Sequence, residues 1–233
     1  MIYLRNIAFY LTFYGGSIGL VIVAVLAAWF APSRVRAVCD AWSNLHHWCC
    51  TNLLGIRVVE TGQRPATRAF YAIKHESFFE AIELPHNFDY PALFAKQELF
   101  DIPGWGLAAR RYGAIPVARE EGAKALRVMI REAMRFMDAG RPIVIFPEGT
   151  RVPHGQQKQL GAGFAALYKL LGLPVVPVAV DSGPLYQRFW KRPGTITLHF
   201  GEAIEPSLPR EEIEARTLAA INALNGDPTI AQD

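Results

Sequence analysis

Residues 71–84 read YAIKHESFFEAIEL and change from a strand pattern to a helix pattern at a histidine. The apolar YAI is typical of the end of a strand, and SFFEAIEL has the apolar spacing of a helix. His75 is therefore expected in the turn between the two, where a side chain can project above a sheet.

Short apolar runs alternate with helical patterns through the chain after Gly55. Two longer segments, EGAKALRVMIREAMRFMDAG and GAGFAALYKLLG, are apolar at positions i, i+3, i+4 and i+7, and each ends in glycine. This alternation predicts an α/β fold built on one sheet. The strand candidates are IRVVE, RAFYAI, YPALFA, AIPVA, PIVIFP, LPVVPVAV and TITLHF.

The spacing between His75 and the carboxylate of Glu80 decides whether the two side chains can pair. Residues five apart on a regular helix are rotated by about 140° and do not face each other. Pairing therefore requires that His75 lies in the turn before the helix. Glu80 would then hold one ring nitrogen and leave the other free to accept a proton. The alternative is a surface histidine beside a solvated acidic helix face, and this stretch alone leaves both open.

A second polar stretch, PIVIFPEGTR at residues 142–151, follows a buried-strand pattern. Gly149 allows an unusual backbone turn. Thr150 offers a hydroxyl and an amide, and Arg151 offers a planar fork that suits phosphate. The pattern predicts an anion site at the end of a strand, which is where α/β sheets commonly bind ligands. A tight turn with a solvated arginine is the alternative.

Basic residues also close two apolar runs between residues 92 and 119. Lys96 follows one run and Arg119 the other, so both could direct charge at the same mouth of the sheet. Ordinary surface charges at strand ends are the alternative. Further along, YQRFWKRPG at residues 186–194 is a candidate basic docking patch for an acidic carrier protein, or else a solvated surface or a membrane contact.

The first third of the chain has a different character. No charged residue occurs from Asn6 to Ser33, a run longer than the ~20 residues that span a bilayer as a helix. Gly15-Gly16 could break this run into a half-inserted helix pair. The next segment has Trp42, Leu45, Trp48 and Cys49 at helical spacing, as in an amphipathic interfacial helix. We predict a membrane-associated helical segment over 1–54, an α/β domain over 55–225 and a flexible tail over 226–233.

Composition and short motifs exclude several classes of function. The chain has 233 residues and a net charge of +3, which is too small to indicate nucleic-acid binding but suits an anionic membrane surface. HHWCC at residues 46–50 has metal-ligand residue types at the wrong spacing, with no second cluster, so no metal is expected. GGSIG at residues 15–19 matches the serine-hydrolase pattern but lacks its strand–turn–helix context.

Taken together, the polar stretches resemble one family. An H-x-x-x-x-E pattern, then AKQEL and GAIPVAR, then FPEGTR, then LPVVPVAV around Pro177 occur in the order and spacing of the glycerolipid acyltransferases. The resemblance extends from about Gly55 to Ile204. It implies a mixed central sheet flanked by helices, as in glycerol-3-phosphate acyltransferase, and acyl transfer to the hydroxyl of lysophosphatidate.

The resemblance implies a catalytic role for two residues. His75 matches the general base, and Glu80 occupies the position of the carboxylate that supports it. The commonest family pattern has asparagine before the histidine and aspartate at its end, whereas this chain has Lys74 and Glu80 there. If Lys74 pointed inward, its charge would disfavour protonation of the imidazole.

The resemblance also implies which residues contact the acceptor. Lys96 and Arg151 match basic residues that hold its phosphate, and Arg119 closes the stretch that shapes its site. Three residues complete the acceptor-side loop: Glu148, Gly149 and Thr150.

The implied reaction needs no metal and no cofactor, because a thioester donor, acyl-CoA or acyl carrier protein, is already activated. The implied partners are the lipid bilayer and a lysophospholipid, without nucleic acid. The implied location is the bacterial inner membrane, with the catalytic domain facing the cytoplasm. Two alternatives stay open: acylation of another lysolipid such as lyso-ornithine lipid, and a non-catalytic membrane protein that binds anionic lipid.

Overall fold

The computed structural model describes residues 1–65, 68–117 and 122–226, with the side chains of residues 122–125 left aside. These residues form two compact units. The first comprises Met1–Gly55 and Ile82–Arg141, and the second comprises Ile56–Ala81 and the chain from Pro142 onward. The predicted helical segment thus ends where the first unit is interrupted, but residues 82–141 group with it. Most of the predicted tail, residues 227–233, lies outside the described residues.

The first unit begins with a long apolar helix and a second helix packed against it. Its helical elements up to Gly55 are α1 (Ile2–Phe9), a π-helical stretch (Tyr10–Tyr14), α2 (Gly15–Phe30), a 3-10 turn (Pro32–Arg34), α3 (Val35–Trp48) and a second π-helical stretch (Cys49–Leu54).

Ile2–Phe30 forms one continuous helix that is long and apolar enough to cross a membrane. Only 22% of its apolar window is buried in the structure, so most of this surface is available to lipid. Gly15-Gly16 does not break it. Instead, Gly16 lets α3 approach closely, because a Cβ there would lie 2.6 Å from a Leu45 methyl. The exposed apolar surface indicates membrane association.

Ser17 of the GGSIG stretch lies within α2, and its hydroxyl donates to the Phe13 carbonyl at 2.6 Å. It also accepts from the indole of Trp42 at 2.9 Å. The hydroxyl therefore joins two helices, and its surroundings are not the strand–turn–helix of a hydrolase.

The rest of the first unit contains two paired parallel strands with helices. The helix Gly122–Asp138 packs against the second of these strands. The elements are α5 (Leu84–Asn87), β3 (Ala92–Lys96), a 3-10 turn (Gln97–Asp101), α6 (Trp105–Tyr112), β4 (Ile115–Val117) and α7 (Gly122–Asp138).

The second unit is built on a five-stranded sheet in the order β1-β7-β6-β2-β5. The pairs β1–β7, β6–β2 and β2–β5 are parallel, and β6–β7 is antiparallel, so the sheet is mixed, as the resemblance implied. The strands are β1 (Ile56–Gly62), β2 (Phe70–Ile73), β5 (Ile143–Ile145), β6 (Val175–Val180) and β7 (Gly194–Phe200).

Helices cover this sheet. Every residue of β2, β5 and β6 is buried, which is expected for parallel strands covered on both faces. Phe164 of α8 (Ala162–Leu171) stacks on Phe70 of β2, with 5.9 Å between ring centroids. Helix α9 (Arg210–Ile221) packs against β6 and β2, and the short α4 (Phe79–Ile82) follows the turn after β2.

All seven runs predicted as strands contain a strand, and both predicted helices are present at α7 and α8. The predicted α/β class is therefore confirmed. The sequence reasoning did not identify α6 or α9.

Candidate functional site

The imidazole of His75 is held at the end of β2 by contacts on several sides. Its backbone carbonyl accepts a hydrogen bond from the Val152 amide at 2.7 Å, and its own amide donates to a Glu148 carboxylate oxygen at 3.3 Å. The ring stacks on Phe146 with 4.1 Å between centroids. The side chain stays 15% exposed, so the ring is fixed but reachable from solvent.

His75 and Glu80 pair across the turn, which is the arrangement that their spacing allowed. Nδ1 of His75 lies 3.2 Å from Oε1 of Glu80, and helix α4 begins only at Phe79. A proton on Nδ1 donates to the carboxylate and leaves the Nε2 lone pair as the proton acceptor. Nε2 has no hydrogen-bond partner among the described residues.

Glu80 is itself fixed by several donors although its side chain is only 1% exposed. Oε1 accepts from the backbone amides of Glu76 and Ser77, the latter at 2.8 Å. Oε2 accepts from the Ser182 hydroxyl at 2.7 Å, and the Ser77 hydroxyl lies 3.1 Å away. Burial alone would raise the pKa of Glu80, but His75 and these donors outweigh it and lower the pKa below its ordinary value. The carboxylate is therefore ionised at neutral pH.

Lys74, one of the two residues that depart from the family pattern, is fully buried and forms an ion pair with Glu148. Its ammonium donates to Oε1 of Glu148 at 2.7 Å, to the side-chain oxygen of Asn222 at 2.8 Å and to the Gln156 carbonyl at 3.0 Å. Its charge thus joins the loop after β5 to the end of α9.

The loop after β5 has the turn that its glycine predicted. Gly149 adopts φ = +67°, a left-handed conformation that other residues rarely take. Glu148 before it is only 3% exposed and has both oxygens engaged, by Lys74 and by the His75 amide. Burial raises the pKa of Glu148, and the hydrogen bond and charge of Lys74 oppose that rise. A contact between Glu148 and substrate stays a prediction.

Thr150 and Arg151 reach a cleft of about 290 Å³. Arg151 is exposed, and its guanidinium lies 4.0 Å from the centroid of the Phe78 ring, a cation–π contact that limits its orientations. No carboxylate among the described residues forms an ion pair with Arg151. The cleft is lined by Glu76, Ser77, Phe78, Thr150, Arg151, Pro153, Gly183, Tyr186, Gln187 and Arg188.

Glu76 is a buried acid of this cleft that the sequence reasoning did not single out. One oxygen faces Nδ1 of His154 at 3.0 Å, and the other accepts from the Gly183 amide at 2.8 Å. Burial raises its pKa to about 7, against the lowering effects of Gly183 and His154. Glu76 thus joins the turn after β2 to the loops that carry His154 and Gly183.

The remaining predicted residues have different positions. Lys96 is exposed at the end of β3 in the first unit. Arg119 lies outside the described residues. Pro177 is buried in β6, where its carbonyl accepts from the Gly201 amide at 2.9 Å.

The histidines of HHWCC belong to a polar cluster in the first unit. The buried Glu83 accepts from Nδ1 of His46 at 2.5 Å and of His47 at 2.7 Å. His47 and His86 also bring ligand atoms near Glu83, but their rings stack at 3.9 Å with only 20° between planes. The in-plane lone pairs of stacked rings do not converge on one ion. In this arrangement the cluster connects α3 to Glu83, directly before α5, through hydrogen bonds.

Comparisons with known proteins agree with this architecture. A family model described as Acyltransferase matches residues 55–181. The chain is 29% identical over 228 residues to a 1-acyl-sn-glycerol-3-phosphate acyltransferase of Pseudomonas aeruginosa, covering 94% of this chain and 86% of the relative. It is 31% identical over 113 residues to the protein of that name from Helicobacter pylori, covering 47% of this chain and 46% of the relative.

Among solved structures, a 1-acyl-sn-glycerophosphate acyltransferase from Thermotoga maritima aligns with a TM-score of 0.67 at 22% identity. The alignment covers 97% of this chain and 99% of that one, and it shows the same fold.

Proposed function

Because the chain belongs to the acyltransferase family, as its motifs predicted, we propose that it acylates the free hydroxyl of lysophosphatidate, with His75 as general base. The observation that carries the proposal is the oriented His75–Glu80 pair, because residues 76–78 between the two line the same cleft as Arg151. The names of the relatives from Pseudomonas and Helicobacter support lysophosphatidate as the acceptor.

Proton transfer is the step assigned to His75. As the acceptor hydroxyl attacks the thioester carbonyl, Nε2 takes its proton, a contribution typically worth about 10²–10⁴-fold. Glu80 holds Nδ1 and stabilises the imidazolium that forms. The new ester C–O bond forms, the C–S bond breaks, and the proton then passes to the departing thiolate. Since the thioester is already activated, we propose no cofactor, with acyl-CoA or acyl carrier protein as donor.

Positioning of the acceptor is the step assigned to the cleft. Arg151 and Thr150 offer a charged fork and a hydroxyl to a phosphate. Holding the phosphate there fixes the hydroxyl near His75 and reduces the entropy lost on encounter. Lys96 and Arg119 stay predicted contacts to the same phosphate.

Membrane association fits this substrate, since the acceptor is a lipid and the long helix Ile2–Phe30 exposes an apolar surface. We propose the bacterial inner membrane as the location, with the site facing the cytoplasm. The cysteine content of the sequence fits that side, because three cysteines cannot form a complete disulfide framework.

The test is thiol release from palmitoyl-CoA by the detergent-purified protein with and without lysophosphatidate. We expect turnover that needs lysophosphatidate and falls by about 10²–10⁴-fold in His75→Ala. His199→Ala is the matched control, because His199 pairs with Thr61 on the surface and should leave turnover unchanged.

Turnover that survives in His75→Ala would show that another group is the base. Preference for lyso-ornithine lipid in the same assay would reassign the acceptor. A folded wild-type protein that is silent with every acceptor and with both donors would favour the non-catalytic lipid-binding alternative.

A further inference from the structure

Residues 185–192, termed here the cleft hairpin, form a tight antiparallel turn beside the cleft. Tyr186 and Lys191 are bridged across it, and the Arg192 amide donates to the Leu185 carbonyl at 2.9 Å. The Tyr186 amide donates to the Ser182 carbonyl at 2.8 Å, which ties the hairpin to the strand end that holds Glu80. The hairpin is therefore a defined element with its own hydrogen bonds.

The base of the cleft hairpin is buried. Tyr186 is 5% exposed and Lys191 only 2%. The Lys191 ammonium lies 4.5 Å from the centroid of the Tyr186 ring, and the Tyr186 ring packs on Phe79 at 5.6 Å. The Lys191 side chain is therefore enclosed and not on the surface, which removes one of the residues that suggested a docking patch for carrier protein.

The tip of the cleft hairpin is exposed and aromatic. Phe189 is 66% exposed and Trp190 is 49% exposed, and Arg188 and Arg192 beside them are also exposed. Neighbouring large apolar side chains on a soluble surface are unfavourable and mark interaction sites. Tryptophan among cations is typical of membrane interfaces, where the ring sits at headgroup level and the cations meet anionic lipid.

The same hairpin forms a wall of the cleft. Tyr186, Gln187 and Arg188 line it together with Thr150 and Arg151. The chain passes from cleft wall to exposed tip within three residues, so a lipid held at the tip would have its headgroup close to the cleft.

We propose that the tip of the cleft hairpin, residues 187–190, inserts into the interface of an anionic bilayer and delivers the lysolipid acceptor from the membrane to the cleft. Phe189 and Trp190 enter the apolar boundary, while Arg188 and Arg192 contact lipid phosphates. The acceptor then reaches His75 without leaving the bilayer surface. The proposal rests on the proposed function for the identity of the acceptor but not for the insertion itself.

Insertion is tested first without catalysis. In the His75→Ala background, the emission of Trp190 is obtained as the difference between the protein and its Trp190→Phe variant in phosphatidylglycerol-containing vesicles. We expect this emission to be blue-shifted and to be quenched when the vesicles contain brominated lipid. Trp190 emission that brominated lipid does not quench would overturn the proposal, whatever reaction the protein catalyses.

Delivery is tested by comparing two forms of the acceptor. For Phe189→Ser/Trp190→Ser, we expect kcat/KM to fall about 10-fold or more with long-chain lysophosphatidate in vesicles, because two apolar side chains no longer enter lipid. With a short-chain, monomeric lysophosphatidate, kcat/KM should stay within about twofold of wild type. The swap Phe189→Trp/Trp190→Phe should retain both activities, and Leu170→Ser, which removes another exposed apolar side chain, should change neither.

Two outcomes would contradict delivery. Equal losses with both acceptors would mean that the tip only shapes the cleft. A loss confined to acyl carrier protein as donor, with vesicle turnover from acyl-CoA unchanged, would identify the carrier protein as the partner of this surface.

Discussion

Glu80→Gln separates the charge of Glu80 from its shape. The amide oxygen can accept from the same groups as Oε1, namely the amides of Glu76 and Ser77 and Nδ1 of His75. The amide nitrogen would replace Oε2, and the Ser182 hydroxyl can accept from it because hydroxyls both donate and accept. The variant should therefore fold and keep the imidazole oriented, losing only the negative charge beside it.

The size of the effect follows from what the charge does. In the proposed step Nε2 takes the proton, and the ring becomes an imidazolium whose Nδ1–H faces the carboxylate at 3.2 Å. Hydrogen bonds to charged groups contribute about 1.5–3 kcal/mol and neutral ones about 0.5–1.5 kcal/mol. Because Gln keeps the bond and loses the charge, the difference is about 1–1.5 kcal/mol, and we expect kcat to fall about 5- to 13-fold. Glu80→Ala should lose more, toward 10²–10⁴-fold, because the ring is no longer held and buried donors lose their acceptor.

The assay is thiol release from palmitoyl-CoA with lysophosphatidate, with the thermal midpoint of each variant measured in the same detergent. Glu214→Gln is the control. Glu214 is partly exposed on α9 and pairs there with Arg210, so its replacement should leave kcat unchanged. A folded Glu80→Gln within twofold of wild type would refute the role of the charge. Equal activities of Glu80→Gln and Glu80→Ala would refute the role of orientation.

Three further predictions concern the surroundings of the site. Lys74→Met should destabilise the protein by about 3–5 kcal/mol in denaturant unfolding, because it leaves the Glu148 carboxylate buried and unpaired, and adding Glu148→Gln should recover part of the loss. Arg151→Lys keeps a positive charge but loses the planar fork, so KM for lysophosphatidate should rise while KM for palmitoyl-CoA stays the same; a change in the donor KM alone would contradict this assignment. Burial alone would raise the pKa of Glu83, but its hydrogen bonds to His46 and His47 outweigh burial, so the pKa lies below its ordinary value. The stability advantage of wild type over Glu83→Gln should thus be largest between the unfolded glutamate pKa of about 4.3 and the pKa of His47, which its hydrogen bond to Glu83 raises, and it should disappear as pH falls through the lowered pKa of Glu83. A pH-independent difference in thermal midpoint would contradict it.

The strands were predictable because their signal is continuous along the chain. The runs at β5 and β6 are apolar at nearly every position, as burial on both faces requires. Helix α9 was not predictable in the same way. Its buried stripe is Ile213, Thr217 and Ile221, so a threonine interrupts the apolar period that marks an amphipathic helix.

The contact between His75 and Glu80 was predictable for a local reason. His75 and Glu80 are five residues apart, and the change from strand to helix pattern already placed a turn between them. The residues that hold Glu80 and Lys74 in place were not predictable, since Ser182 is 102 residues from Glu80 and Asn222 is 148 residues from Lys74. Serine and asparagine are common in loops, and nothing in their own neighbourhood distinguishes the ones that close on the site.

The sequence alone therefore determined the α/β class, the apolar N-terminal helix and the family, and it made a pairing of His75 with Glu80 possible, because each depends on residue types at short, regular spacing. Only the tertiary structure decided that the Lys74 side chain points inward to Glu148, that Glu76 pairs with His154, and that the tip of the cleft hairpin is exposed. These features depend on which distant segments enclose a side chain and which leave it in solvent. Burial of Lys191 beside exposed Trp190 illustrates the reason, because hydropathy alone predicts the opposite order.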